Sequence, residues 1–186
     1  MKIRNREDLI RYLNGGNAAK YVFFWGHQKP EAGVSQSCFS QWYESQFIAE
    51  GRNYLTAEHY MMAKKAELFG DLASQEKILA SKTPSEAKQL GRGVAGFRND
   101  LWLQHRFDIV VSANLAKFSQ NPDLQAFLLN TGEAVLVEAS PVDNIWGIGL
   151  AVDDPAVSNP HQWQGLNLLG FALMCVRDQL RSCRAS

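Results

Sequence analysis

Glu58 and Lys65 are the residues whose types and spacing most directly suggest chemistry in this chain. A carboxylate can act as a general base or stabilise a developing positive charge. A lysine amine stripped of its proton is a nucleophile. Seven positions apart on a helix, at about 100° per residue, the two fall within about 20° of each other. The helix that must carry them spans residues 56–70. Thr56 can cap its start by accepting from first-turn amides, and Gly70 stands where a left-handed residue ends a helix. On the same wheel Met61, Met62, Ala66, Leu68 and Phe69 mark a core-facing side, with Glu58 and Lys65 near its middle. Lys64 and Glu67 point elsewhere, toward expected solvent.

Charges inside an apolar stripe are costly unless they are paired, hydrogen-bonded or lining a cavity. Seven residues rise about 10.5 Å, so these two should not satisfy each other directly. Two readings therefore stand. One is a structural ion network, with Lys65 running its methylene stem to the surface. The other is a cleft between them, filled by a polar ligand. Glu58 lies in a first turn, beside free amides and the positive dipole end, where the ionised form is favoured. Lys65, desolvated by Met61, Met62 and Phe69, should have a lowered pKa.

A second place of interest is Asp143-Asn144-Ile145-Trp146-Gly147-Ile148-Gly149. A tryptophan followed by glycines offers a flat apolar surface that backbone can approach closely, which suits a planar ring. Asp143 could then serve a polar group on that ring. A tight turn packed by a core tryptophan fits the same residues. Trp25-Gly26 and Trp42 repeat the association of an aromatic side chain with flexible or polar neighbours. Arg92, Arg98 and Arg106 could meet a phosphate bidentately, or simply be exposed helix charges. Phosphate-loop, dinucleotide, zinc-protease and nucleophile-elbow motifs are all missing from the sequence. The histidines, His27, His59, His105 and His161, are dispersed, and Cys38, Cys175 and Cys183 lack metal-ligand spacing. Neither a metal nor a cofactor is expected.

The surrounding chain has 186 residues, of which 46% are hydrophobic, enough for one ordinary core. Lys plus Arg and Asp plus Glu each number 19, a formal net charge of zero. A general binder of nucleic acid or anionic membrane would carry an excess of positive charge. With no leader-like start and no apolar run approaching about 20 residues, a soluble cytoplasmic protein with reduced thiols is expected. A short helix over 5–13 forms an accessory element within residues 1–20, ahead of a single domain over 21–182. Residues 21–25 predict a buried strand, and 46–49 with 53–55 a hairpin around Glu50-Gly51. Asp71 and Thr83-Pro84-Ser85-Glu86 start further helices. A long helix follows over 97–118, with Trp102, Phe107, Val110, Val111, Leu115 and Phe118 as its core, and another begins at Pro122. Residues 134–138 predict a strand, 153–164 an irregular mobile stretch, and 166–180 a last helix with a frayed end over 181–186. About six helices and a few strands make the fold α+β: mostly helical, with a small sheet and hairpin element.

These residues resemble the NADAR (YbiA-like) family. The resemblance is carried by Phe24-Trp25-Gly26, Phe39-Ser40-Gln41-Trp42, Thr56-Ala57-Glu58-His59-Tyr60 through Lys65, Gly91-Arg92 through Phe97-Arg98 to Trp102, Leu136-Val137-Glu138 through Asp143 to Gly149, and Asn167-Leu168-Leu169-Gly170. It spans roughly residues 21–180 in order. Gln41 stands where the family often has Asn, and Ala57 where it often has Ser. The resemblance implies an N-glycosidase that cleaves a C–N bond between ribose and a nitrogenous ring, without a cofactor. The expected substrate is a small phosphorylated ribosyl-base, an early phosphoribosylamino-pyrimidine intermediate of riboflavin biosynthesis. The alternatives are removal of ADP-ribose from guanine in nucleic acid, and a non-catalytic module that binds ADP-ribose or a related nucleotide. Glu58, Lys65 and Asp143 are the catalytic candidates. Trp25, Gly26, Ser40, Trp42, Arg98, Trp146, Gly147, Gly149 and Asn167 are the substrate-binding candidates, with Arg98 for phosphate and the tryptophans for stacking. No membrane partner is expected.

Overall fold

The structure is a computed structural model that describes residues 2–185. Among the described residues the chain forms α1 (Arg6–Asn14), β1 (Tyr21–Phe24), a short 3-10 turn (Gln36–Phe39), β2 (Phe47–Ala49), β3 (Arg52–Tyr54), α2 (Ala57–Leu68), α3 (Leu72–Ala80), α4 (Pro84–Arg92), α5 (Asn99–Gln120), α6 (Pro122–Asn130), β4 (Val135–Glu138) and α7 (Leu168–Ala185). This is the α+β, mostly helical architecture expected from the sequence, with seven helices rather than about six. It divides into two compact units, one of Met1–Ser40 with Asp123–Ser186 and one of Gln41–Pro122.

In the first unit β1 runs parallel to β4, with Tyr21 beside Val135 and Phe24 beside Glu138. The β-branched run Val135-Leu136-Val137 is buried throughout, and α7 packs on it. Gly170 permits that approach, since a Cβ there would stand 2.0 Å from the Leu136 carbonyl oxygen. Arg177, only 2% exposed, donates to Thr131 Oγ1 at 2.7 Å and to the Ala134 carbonyl at 2.8 Å. It thereby satisfies the turn that leads into β4, as a buried cation must.

Three expectations change in this unit. The strand over 21–25 is not buried throughout: only Phe24 is, and Trp25 lies beyond the strand at 59% exposed. α7 does not fray after residue 180 but continues to Ala185, with Arg181 donating to the Gly132 carbonyl at 2.7 Å. Ser186 lies outside the described residues. The stretch 153–164 is irregular, as expected, but it is a succession of turns joined by backbone bonds such as Val157 N–H to the Asp154 carbonyl. Buried Trp163 pins it by donating to the Val157 carbonyl at 2.8 Å, and Arg6 of α1 donates to the carbonyls of Pro160 and His161.

In the second unit β2 and β3 form the expected hairpin, turned by Glu50 and Gly51 at φ 52° and 74°. Positive φ at both positions gives the primed turn that matches strand twist. The hairpin delivers the chain to Thr56, whose Oγ1 accepts from His59 N–H and caps α2. At the other end Gly70, φ 72°, donates to the Glu67 carbonyl and Asp71 to the Ala66 carbonyl, a Schellman closure. α3, α4 and α5 all pack against α2. The expected one-sided stripe is therefore replaced by burial of every residue from Ala57 to Ala63. Helices on several sides leave no solvent face in those turns. Lys64, expected in solvent, is only 19% exposed in its side chain and bonds Glu50 at 2.9 Å and Glu67 at 2.8 Å. On α5 the buried side is Val110, Ala113, Asn114, Lys117 and Phe118. Trp102, Phe107, Val111 and Leu115, expected in its core, are only half-buried.

Gly170→Ala forces a methyl into a buried strand carbonyl and should cost about 3 kcal/mol. For a chain of this size that lowers the melting temperature by roughly 6–12 °C, measurable by differential scanning calorimetry.

Candidate active site

Glu58 and Lys65 sit at opposite ends of α2, in environments that differ sharply. Glu58 is the second residue of the helix and is 3% exposed. Its own N–H, one of the four amides a helix start leaves unpaired, donates to the Gln41 carbonyl at 3.0 Å. Thr56 satisfies the next amide, that of His59, and its hydroxyl also lies 2.8 Å from His59 Nδ1. Burial pushes the His59 pKa down, so the ring is neutral near pH 7 and adds no cation beside Glu58. The first turn is thus a fixed, doubly capped platform for one buried carboxylate.

Lys65 is half-buried, and its ammonium donates to the Gly91 carbonyl at 2.7 Å. That carbonyl belongs to the last turn of α4, where acceptors lack partners within the helix and the dipole is negative. Gly91 brings it close: a Cβ there would sit 2.1 Å from Met62 Sδ. The ammonium also lies 4.5 Å from the Phe97 ring centre and 5.7 Å from that of Trp102. Desolvation lowers the Lys65 pKa. Burial also pulls on Lys64, but its bonds to Glu67 and Glu50 outweigh that and hold its pKa well above normal. Adjacent lysines are therefore shifted in opposite directions, Lys64 up by its carboxylates and Lys65 down by desolvation. The Gly91 carbonyl and Phe97 were not evident as parts of the site from the sequence, because neither lies on the wheel of α2.

In the same unit Trp42 is half-buried, with Lys88 Nζ 5.6 Å from its ring centre. Arg98 is exposed and bonds Asp100 at 2.8 Å, so a phosphate there would compete with a carboxylate in water. Among the described residues no group of three or more His, Cys, Asp or Glu is arranged to hold a metal.

The first unit holds the other candidates. Asp143 closes its loop: Oδ1 accepts from the N–H groups of Ile145 and Trp146, both at 2.8 Å, while Oδ2 stands outside these bonds. Trp146 is half-buried and Gly147 buried. A Cβ at Gly147 would be 2.9 Å from the carbonyls of Asp143 and Glu138, and Gly149 adopts φ 70°. Both glycines are thus demanded by the loop's own packing. Trp25 and Gly26 are exposed, Gly26 at φ 80°, and Ser40 is half-buried at the end of the 3-10 turn. Asn167, expected to touch substrate, is completely buried with φ 55°. Its amide donates to the Leu136 carbonyl at 2.9 Å and accepts from Glu138 N–H at 3.0 Å. Both ends of the side chain are bonded to β4, so it holds the strand.

The NADAR domain model matches residues 23–181. This chain belongs to the NADAR family. It is 47% identical over 165 residues to an N-glycosidase of Acanthamoeba polyphaga mimivirus, covering 86% of this chain and 96% of that protein. Over 133 residues it is 35% identical to the chloroplastic riboflavin biosynthesis protein PYRR of Zea mays, covering 67% of this chain and 19% of that protein. The NMR structure of the E. coli protein YbiA matches with a TM-score of 0.70 at 26% identity, over 90% of this chain and 88% of that one. The NADAR match begins after α1, so the Arg6 contacts belong to a part of the chain that precedes the domain model. Among the described residues no helix is long and apolar enough to cross a membrane.

The opposed shifts make a direct prediction. In reductively methylated protein followed by carbon-13 NMR, Lys65 should titrate below the ordinary lysine value and Lys64 above it. Loss of the Lys65 proton should relieve its buried charge, so stability rises with pH from its folded pKa up to the unfolded value. Lys65→Met should remove that rise.

Proposed function

We propose that this chain hydrolyses the C–N bond between ribose and the exocyclic amino nitrogen of a phosphoribosylamino-pyrimidine. The chain is a hydrolase acting on a glycosidic bond, as its N-glycosidase relatives indicate. The pyrimidine substrate is the finer step. It is supported by the likeness to a protein named for riboflavin biosynthesis and by the formal neutrality of the chain, which favours a small metabolite over a polyanion.

The observation that carries the reading is the pairing on α2 of a buried, capped carboxylate with a desolvated lysine. Breaking an N-glycosidic bond places oxocarbenium-like charge on the sugar. Ionised Glu58 stabilises that charge or takes a proton from the attacking water. In the covalent route the neutral Lys65 amine attacks the anomeric carbon. The C–N electron pair leaves with the exocyclic amino nitrogen of the pyrimidine, which takes up a proton as the lysine gives one up. The lysine nitrogen's pair then breaks the ring C–O bond, the ring oxygen takes a proton, and the opened sugar remains as an imine on Lys65 until water restores the amine and frees phosphoribose. In the unit that holds Glu58 and Lys65, Trp42 is assigned to stacking the leaving base and Arg98 to the phosphate, where it must exchange Asp100.

The purified protein should release free phosphoribose from phosphoribosylaminouracil, and faster than it releases ADP-ribose from ADP-ribosylated guanine DNA. Saturable binding of the first with no release over time would make this chain a binding module. The reverse preference would move the substrate to modified nucleic acid. Glu58→Gln should fold and lose at least about a hundredfold in kcat. A normal rate in that variant would remove Glu58 from the chemistry.

A further inference from the structure

Asn114 has no part in the mechanism above, yet it is completely buried in the middle of α5. Its Nδ2 donates twice, to the Val110 carbonyl of its own helix at 2.9 Å and to Gln41 Oε1 at 2.7 Å. Gln41 is itself 6% exposed, and its backbone carbonyl is the acceptor for Glu58 N–H at 3.0 Å. One residue is thus held by its side chain to α5 and by its backbone to the first turn of α2. We propose that Asn114 is a positioning residue for Glu58, acting through Gln41. The inference rests on Glu58 being the catalytic carboxylate.

Two features support a positioning role over plain scaffolding. Among the described residues Gln41 Nε2 and Asn114 Oδ1 are buried without partners. A polar pair that leaves a donor and an acceptor unsatisfied is a poor stabiliser, and an apolar pair of similar volume would hold the helices at least as well. What the amides supply is direction. They fix the peptide whose carbonyl meets the second amide of α2, which the Thr56 side chain does not reach because it caps the third. Without that fixation the carbonyl can turn away, the first turn loosens, and the Glu58 carboxylate loses its place. A misplacement of about 1 Å remote from the chemistry can cost a hundredfold in rate.

The test compares Asn114→Ala and Asn114→Leu with Ala113→Gly, a neighbouring buried change on the same helix that leaves Gln41 alone. Leucine keeps the branched skeleton of asparagine and fills its space but cannot donate, which guards against simple collapse of the core. Steady-state hydrolysis of phosphoribosylaminouracil and exchange of the Glu58 amide proton by nitrogen-15 NMR are measured on all four proteins. Both Asn114 variants should lose between about tenfold and a hundredfold in kcat with KM within about twofold, and Glu58 should exchange about tenfold faster, while Ala113→Gly does neither at a matched interval below its melting temperature. If kcat of the Asn114 variants follows that of Ala113→Gly, or falls while Glu58 exchange does not move, the positioning role is wrong. If the wild type releases no phosphoribose, the functional reading fails, and Glu58 exchange alone then decides the coupling.

Discussion

The site on α2 depends on how the helix begins. A helix start leaves four amides without internal partners, and burying that start demands that they be satisfied from outside. Here the Gln41 carbonyl takes the amide of Glu58 and the Thr56 hydroxyl takes that of His59. Those two bonds let a carboxylate sit at 3% exposure on the positive end of a helix. Removing the caps would leave the same carboxylate in a first turn free to fray. Its ionised form would then have water around it in place of fixed dipoles, which costs reorganisation at each reaction.

The other end of α2 solves the opposite problem. A lysine near the middle of a packed unit needs an acceptor, and the backbone of α4 supplies one because Gly91 lets that helix approach over Met62. A carbonyl and two aromatic faces are weaker partners for an ammonium than a carboxylate, so desolvation prevails and the pKa falls. One residue earlier, Lys64 has two carboxylates and remains a cation. The contrast separates a lysine that braces the hairpin against the helix from one that desolvation shifts toward its neutral form.

Much of this was legible in the sequence where the signal is local. Thr56, Asp71 and Thr83 act as caps, Glu50-Gly51 turns the hairpin, and Gly70 closes α2, because each depends on neighbours within a few residues. The inward direction of Glu58 followed from spacing alone. The wheel misled on Lys64, because a helical period tells faces apart only when one of them meets water, and α2 is packed on several sides. The Gly91 carbonyl, the Asn114–Gln41 bond and the burial of Asn167 against β4 join residues far apart in sequence and carry no local mark. Trp25 shows the same limit in reverse: its aromatic run reads as core, but the strand ends one residue earlier and leaves it exposed.

The central claim, that the desolvated lysine of α2 reacts and its neighbour does not, can be measured directly. Borohydride is added while phosphoribosylaminouracil turns over, and the peptides spanning residues 57–68 are mapped by mass. The account predicts a reduced phosphoribosyl adduct on Lys65 and none on Lys64. Continued product formation with Lys65 unmodified, or with the adduct on Lys64, would contradict it.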